Sequence, residues 1–161
     1  MGDEERVEFV RIVGVPVRAF LESQDHQHDL IRELQLITIG AQFDVAKVEI
    51  SHRVAKLVAS IHERYESVRS ATREQALAAR ARGDLLVDLD VPIVPDMAAS
   101  LRHWLELLEE ADELCRDGDL LLLATQPEIR DLRRWYVETV IAALDGVAPS
   151  SGGGPEPRQP R

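Results

Sequence analysis

The sequence predicts an all-α fold, an antiparallel bundle of four to five helices with a minor two-stranded ribbon. Apolar residues recur every three or four positions along several long segments, as one face of a helix requires. Helix-start and helix-stop chemistry brackets those segments, with Pro in a first turn and Gly just past a last turn. The chain has 161 residues, 45% of them apolar, and a single cysteine, Cys115. That suits one domain able to bury a core without disulfides or a cysteine-built zinc cage. Aromatic residues are only 4%, so the expected core is mostly aliphatic.

The first helix is expected from Pro16 to Gly40. A heptad-like register runs through Phe20, Ser23, Gln27, Leu30, Leu34, Ile37 and Ala41. Its middle, Glu22 to Asp29, contains no apolar side chain, so some of these polar residues must face inward if the helix packs along its length. A second helix falls within Asp44 to Ser67, where Val54, Leu57, Val58, Ile61, Tyr65 and Val68 recur at helical spacing. Its start stays open, because Phe43, Val45, Val48 and Ile50 fit more than one period. A further helical piece covers Thr72 to Arg82, with Thr72 and Gln75 at capping-box spacing and Gly83 as its stop.

Leu85 to Val94 alternates Val87, Leu89, Val91 and Ile93 with Asp88, Asp90 and Pro92, which reads as an extended edge segment. Val7 to Val13 is its best pairing partner. The next helix runs from about Pro95 to Arg116 and is stopped by Gly118; Met97, Leu101, Trp104, Leu108, Ala111 and Cys115 make its apolar stripe. Glu106, Glu109, Glu110, Asp112 and Glu113 are assigned to its opposite, wet face. The last helix opens with Thr125-Gln126-Pro127-Glu128, a capping box with Pro in the first turn. Ile129, Leu132, Tyr136, Val140 and Leu144, with Trp135 alongside, form its stripe, and Asp145-Gly146 ends it. Residues 1–146 are thus one helical bundle domain. Val147 to Arg161 is a disordered tail rich in Pro, Gly and Ser, unable to offset its ordering entropy by burial.

The formal net charge is −10, from 19 basic and 29 acidic residues. Such a balance argues against nucleic acid as a default partner and against an anionic membrane surface. The N-terminus opens acidic, without the basic stretch and cleavage site of a signal peptide, and aliphatic runs such as Leu120 to Ala124 are far too short to span a bilayer. A cytoplasmic protein is expected.

The polar middle of the first helix is the most unusual local feature. His26 and His28 lie two residues apart, roughly 200° around a helix, so they cannot chelate one ion from the same helix. His28 followed by Asp29 resembles the phosphoacceptor box of histidine-kinase dimerisation helices, where a carboxylate holds the imidazole tautomer; the alternative is a solvated turn or a polar layer. Asp25-x-x-His28 and Glu49-x-x-His52 have the spacing of half-sites in a di-metal carboxylate bundle, although one motif carries Asp; the alternative is exposed charge. The acidic stretch Glu106 to Asp119 could attract a basic partner or a divalent ion, but it lacks calcium-loop spacing and reads first as a solvated face. Arg130, Arg133 and Arg134 are the only basic cluster in a helix; they could grip an acidic partner or a phosphate, but read first as pairing with Asp131 and Glu138 or with the preceding helix. Cys115 lies on an apolar stripe and reads as a buried structural thiol. No Walker motif and no Gly-x-Ser-x-Gly elbow is present.

Glu110-Ala111-Asp112-Glu113, Cys115, Gly118-Asp119, Ala124-Thr125, Pro127-Glu128 and Arg134-Trp135-Tyr136, with the segment VGVPVRAFLESQDHQHDLIRELQLI, carry a resemblance over roughly residues 10 to 145. The chain resembles a family of small helical proteins of high-GC Gram-positive bacteria. Members tend to be encoded beside sigma-factor partner-switching regulators: ATP-binding anti-sigma kinases, their phosphorylatable antagonists and the matching phosphatases. The resemblance implies an accessory protein partner in transcription regulation and carries no catalytic residue across. The Asp-x-Gly-x-Gly nucleotide box of the kinase is absent. The expected function is therefore a non-enzymatic regulatory or adaptor protein binding an anti-sigma kinase or its antagonist, with no cofactor, no metal and no catalytic residues. A homodimer is compatible with such a bundle. The candidate partner-binding residues are Asp25, His26, His28, Asp29, Glu106, Glu109, Glu110 and Glu113. Phosphotransfer at His28 is the second reading, and a metal-binding bundle the third.

Overall fold

The computed structural model describes residues 8–40, 56, 60, 62–117 and 125–146. Among them the order is β1 (Phe9–Pro16), α1 (Val17–Gly40), α2 (Glu66–Arg82), β2 (Leu86–Pro92), α3 (Met97–Arg116) and α4 (Pro127–Leu144). Most of the expected second helix, Ala41 of the first register, Glu49, His52, the run Leu120 to Ala124 and the tail from 147 onward lie outside the described residues, as do the side chains of Leu34 and Ile37.

The strands pair antiparallel, with Val10 opposite Val91, Ile12 opposite Leu89 and Val15 opposite Val87. Between Ile12 and Val15 the register shifts, so β1 carries one residue more than β2 across that interval. Gly14 takes φ +73° there, a left-handed conformation that costs glycine least. Its N–H donates to the Asp88 carboxylate at 3.0 Å. The bulge reverses the alternation of β1: Ile12 and Val15, three apart, both point inward and both are 0% exposed. Leu89 and Val91 meet them at the same 0%. On the outer face, Arg11 lies 3.4 Å from Asp88 and 3.7 Å from Asp90, with Phe9 and Val13 exposed beside it.

This ribbon corrects the expected fold class. The molecule is not an all-α antiparallel bundle with strands as an ornament. It is a mostly helical protein whose helices cover the apolar face of a small two-stranded sheet, and that face supplies four fully buried side chains beside Leu30, Leu108 and Val140 of the helices. α2 packs on β2 and on α1, while α4 touches β1, α1 and α3. Phe20 and Leu21 of α1, Val68, Ala76 and Ala79 of α2, Met97 of α3, and Leu132 and Val140 of α4 join the ribbon in one core. The physical reason is area: two strands with Val, Ile and Leu on one side cannot leave that side in water, nor can they bury it on each other.

Local chemistry accounts for the helix ends. Gly83, at φ +81°, closes α2 in the left-handed cap the sequence predicts. Its N–H reaches Arg80 O at 3.0 Å and that of Asp84 reaches Ala79 O at 2.9 Å, the double closure of a Schellman motif. The start of α2 is earlier than expected. The helix runs unbroken from Glu66, and Thr72 sits buried inside it, donating its hydroxyl to Val68 O at 3.0 Å rather than capping a terminus. Gln75, its expected capping-box partner, reaches across to β2. Its amide nitrogen donates to Asp90 O at 2.8 Å, and its amide oxygen accepts from Asp90 N at 2.9 Å. Pro127 opens α4 as expected, but the capping box does not form: the N-cap is Gln126, with no side-chain cap bond. Among the described residues, no helix is long and apolar enough to cross a membrane.

Replacing Gln75 by Ala removes both bonds to Asp90 and should cost about 1–2 kcal/mol in urea unfolding. Leu89→Ala, at the buried ribbon face, should cost about 2–5 kcal/mol. Val13→Ala on the outer face should fall within about 0.5 kcal/mol of wild type.

Candidate functional site

The polar middle of α1 divides between core and solvent according to helical phase. Ser23 is buried, Gln24, His26 and Gln27 are half-buried, and Asp25, His28 and Asp29 are exposed. Thr72 of α2 explains why polar residues are tolerated on the inner side: Gln24 donates to its hydroxyl at 3.5 Å, and Arg73 donates to the side-chain Oε1 of Gln24 at 3.4 Å. Asp25 is held at 2.8 Å by the other terminal nitrogen of Arg73.

His28 lines a polar cleft of about 310 Å³ between α1 and α2, together with Arg69 and Arg73. Its ring lies 6.3 Å from that of His62. His62 in turn approaches Glu66 at 3.7 Å, and Arg69 donates to both Glu66 and the His62 carbonyl. Burial holds the His62 imidazole below its ordinary pKa, with the Arg69 charge acting in the same direction. Glu66 is held low by the hydrogen bond from Arg69. Among the described residues, no group of three or more His, Cys, Asp or Glu is placed to hold a metal ion. Asp25 of the proposed metal motif is taken up by Arg73.

On α3, Glu106 and Glu113 are exposed, whereas Glu109 and Glu110 are half-buried. Glu106 lies 3.8 Å from His103, and Glu109 accepts from Arg134 of α4. Asp112 departs from the wet face assigned to it. It is 2% exposed and belongs to a polar layer between α3 and α4. One of its oxygens accepts from Thr125 N at 3.1 Å and from the Thr125 hydroxyl at 2.5 Å. The other lies 3.8 Å from the guanidinium of Arg133, itself 4% exposed, which also donates to the Thr125 hydroxyl at 3.3 Å. Thr125 therefore joins α3 to α4 instead of capping α4. The Arg cluster thus pairs mainly with α3, through Arg133 to Asp112 and Arg134 to Glu109.

His26 of α1 feels the charges of this layer. Burial lowers its pKa first and the Arg133 charge second, while Asp112 and Asp29 pull the other way. Its Nε2 has no hydrogen-bond partner, and neither has one oxygen of Asp112 or Nε of Arg133. Cys115, one turn beyond Ala111, is buried as expected. Desolvation, reinforced by Asp112 and Glu33, pushes its thiol up to about 11, which keeps it protonated and unreactive at neutral pH.

The eight candidate residues thus fall on two separate surfaces, Asp25 to Asp29 on α1 and Glu106 to Glu113 on α3. Sequence reasoning missed His62, Glu66 and Arg69 because they lie where its helix boundaries were least defined. It also missed the burial of Asp112 and Arg133, although spacing held the signal: Asp112 is four residues after Leu108 and three before Cys115, on the apolar stripe, and Arg133 is four after Ile129. No family model matches the chain, and comparison with curated proteins and with solved structures gives no significant similarity.

Asp112→Ala, which strands the Arg133 charge, should cost about 3–5 kcal/mol, and the double change Asp112→Leu with Arg133→Met should cost less than the single one. Both follow from denaturant unfolding. The two depressed histidines set a pH dependence. Below the unfolded value of 6.5 the unfolded chain takes up protons that folded His26 and His62 refuse, so stability is full above pH 6.5 and declines as pH falls through it. Thermal unfolding between pH 7.5 and 5 should show this decline, and the pair His26→Gln with His62→Gln should flatten it.

Proposed function

We propose that this chain is a non-enzymatic regulatory adaptor that acts by binding other proteins, in a sigma-factor partner-switching pathway as its resemblance implies. The observation that supports the reading is the construction of α3. Its inner side is tied to α4 by the buried Asp112–Thr125–Arg133 layer, and Glu109 is held from outside by Arg134. Glu106 and Glu113 are therefore exposed carboxylates on a helix fixed in place, which lowers the ordering cost of docking a basic surface. The residues that carry the resemblance serve the same end: Asp112 and Thr125 hold the surface, while Glu113 forms part of it. Charge complementarity of this kind chiefly sets association rate and partner choice.

A second reading, phosphotransfer at His28, is favoured by one observation: an exposed imidazole lines a cleft that also presents the guanidinium groups of Arg69 and Arg73. Each is paired with a carboxylate, Arg69 with Glu66 and Arg73 with Asp25, so an arriving phosphoryl group would have to exchange with those partners.

Calorimetry against the purified anti-sigma kinase and its phosphorylatable antagonist from the same genome should give saturable binding to one of them. Glu106→Arg with Glu113→Arg should weaken it about tenfold and reduce its salt dependence, with the circular dichroism unchanged. Binding to neither protein, or binding that ignores the double change, overturns the adaptor reading. Phosphotransfer predicts an acid-labile label from a cognate histidine kinase that disappears in His28→Gln; a label that persists removes it.

A further inference from the structure

A cavity of about 100 Å³, partly open to solvent, lies where all four described helices converge. Protein interiors close-pack, and space of this size costs the contacts its lining would otherwise make. Its walls are unusual for this chain. The sequence has 3 Phe, 2 Trp and 2 Tyr in all, yet Phe20, Tyr65, Trp104 and Tyr136 all line this one space. Phe20 and Tyr136 meet there with ring centroids 5.4 Å apart. Met97, an adaptable thioether, completes the apolar wall.

Two polar groups in the lining are buried without partners: the hydroxyl of Tyr65, whose residue is 6% exposed, and Nε of Arg133, at 4%. An unsatisfied buried donor costs about 1–3 kcal/mol. Each is an N–H or O–H able to donate to an incoming oxygen. The charges nearby are already balanced, Arg133 by Asp112 at 3.8 Å and Arg69 by Glu66. A ligand bringing its own charge into this apolar space would leave that charge unpaired and desolvated.

We propose that this cavity is a binding site for a small uncharged molecule, with a ring-sized apolar body and a hydrogen-bond-accepting oxygen held by Arg133 or Tyr65. The volume sets the scale: a dry cavity of about 150 Å³ takes up a benzene ring, so at about 100 Å³ this space admits a single ring as the adaptable Met97 side chain gives way. The aromatic walls receive the ring, and the unpaired donors fix which end carries the oxygen. The site is separate from the acidic face of α3 and stands whether or not that face binds a protein.

Three probes of similar size separate the alternatives: acetophenone, with a ring and a carbonyl; ethylbenzene, with the ring alone; and benzoate, with a charge. Met97 is one of only two methionines, so its labelled methyl resonance reports directly on the cavity wall. Acetophenone should shift that resonance saturably and raise Tm, binding about tenfold more tightly than ethylbenzene, while benzoate at neutral pH should give no saturable shift. Tyr65→Phe should reduce the preference for acetophenone over ethylbenzene, and Leu101→Trp should abolish uptake by filling the space. No saturable shift with acetophenone, equal affinity for ethylbenzene, or tighter binding of benzoate overturns the proposal. Should either variant fail to fold, the comparison of the three probes on the wild-type chain decides it alone.

Discussion

A two-stranded ribbon with one greasy face is the constraint on which the rest of the structure depends. Ile12, Val15, Leu89 and Val91 lose all contact with solvent, and they can do so only because helices far apart in sequence cover them. α4 reaches β1 from the C-terminal end of the described chain, and α2 reaches β2 through a single tight turn at Gly83. Local closures such as the Gly83 cap decide where each helix ends, but the sheet face decides which helices come together. Two strands alone are marginal in water, so the ribbon and its cover must form as one cooperative unit.

The Asp112–Thr125–Arg133 layer works differently. A buried ion pair is weak evidence of added stability, because desolvation offsets most of the Coulombic attraction. What it contributes is geometry: the carboxylate can satisfy two donors of Thr125 only when α3 and α4 stand in one relation. Because Thr125 lies just before the Pro that opens α4, the layer also positions that helix start, which lacks a side-chain cap of its own. The adaptor reading draws on this consequence, since carboxylates on the outside of α3 are useful for recognition only if the helix beneath them does not shift.

Much of this was legible in the residues. Gly83, Pro127 and the stripes of α3 and α4 mark their elements by local chemistry that tertiary context does not override. The pairing of the two extended segments was legible as well. Its weight in the core was not, because a ribbon of a few residues gives little periodic signal while burying its inward side chains completely. Val15 shows how phase is lost: strict alternation from Ile12 would send it outward, and the bulge at Gly14 turns it in. Asp112, Arg133 and Gln75 share another cause. Residue type placed Asp112 in water, local spacing gave Gln75 to a helix cap, and pairing with the preceding helix was open to Arg133 without its burial; their roles come from partners distant in the chain. For the candidate site, exposure of Asp25, His28, Asp29, Glu106 and Glu113 followed from helical phase, but the neighbours His62, Glu66 and Arg69 that shape the cleft did not.

The reach of Gln75 to β2 has a bearing on behaviour at high concentration. Sheet margins invite foreign chains to add on, because their main-chain groups lie open to any extended peptide. At Asp90 both of those groups are already occupied by a side-chain amide that imitates the peptide unit of a neighbouring strand. An intruding chain would have to evict that amide before gaining its first two bonds. The glutamine thus works as a molecular end-stop, and growth of fibrillar assemblies from that margin is opposed by a residue belonging to a helix.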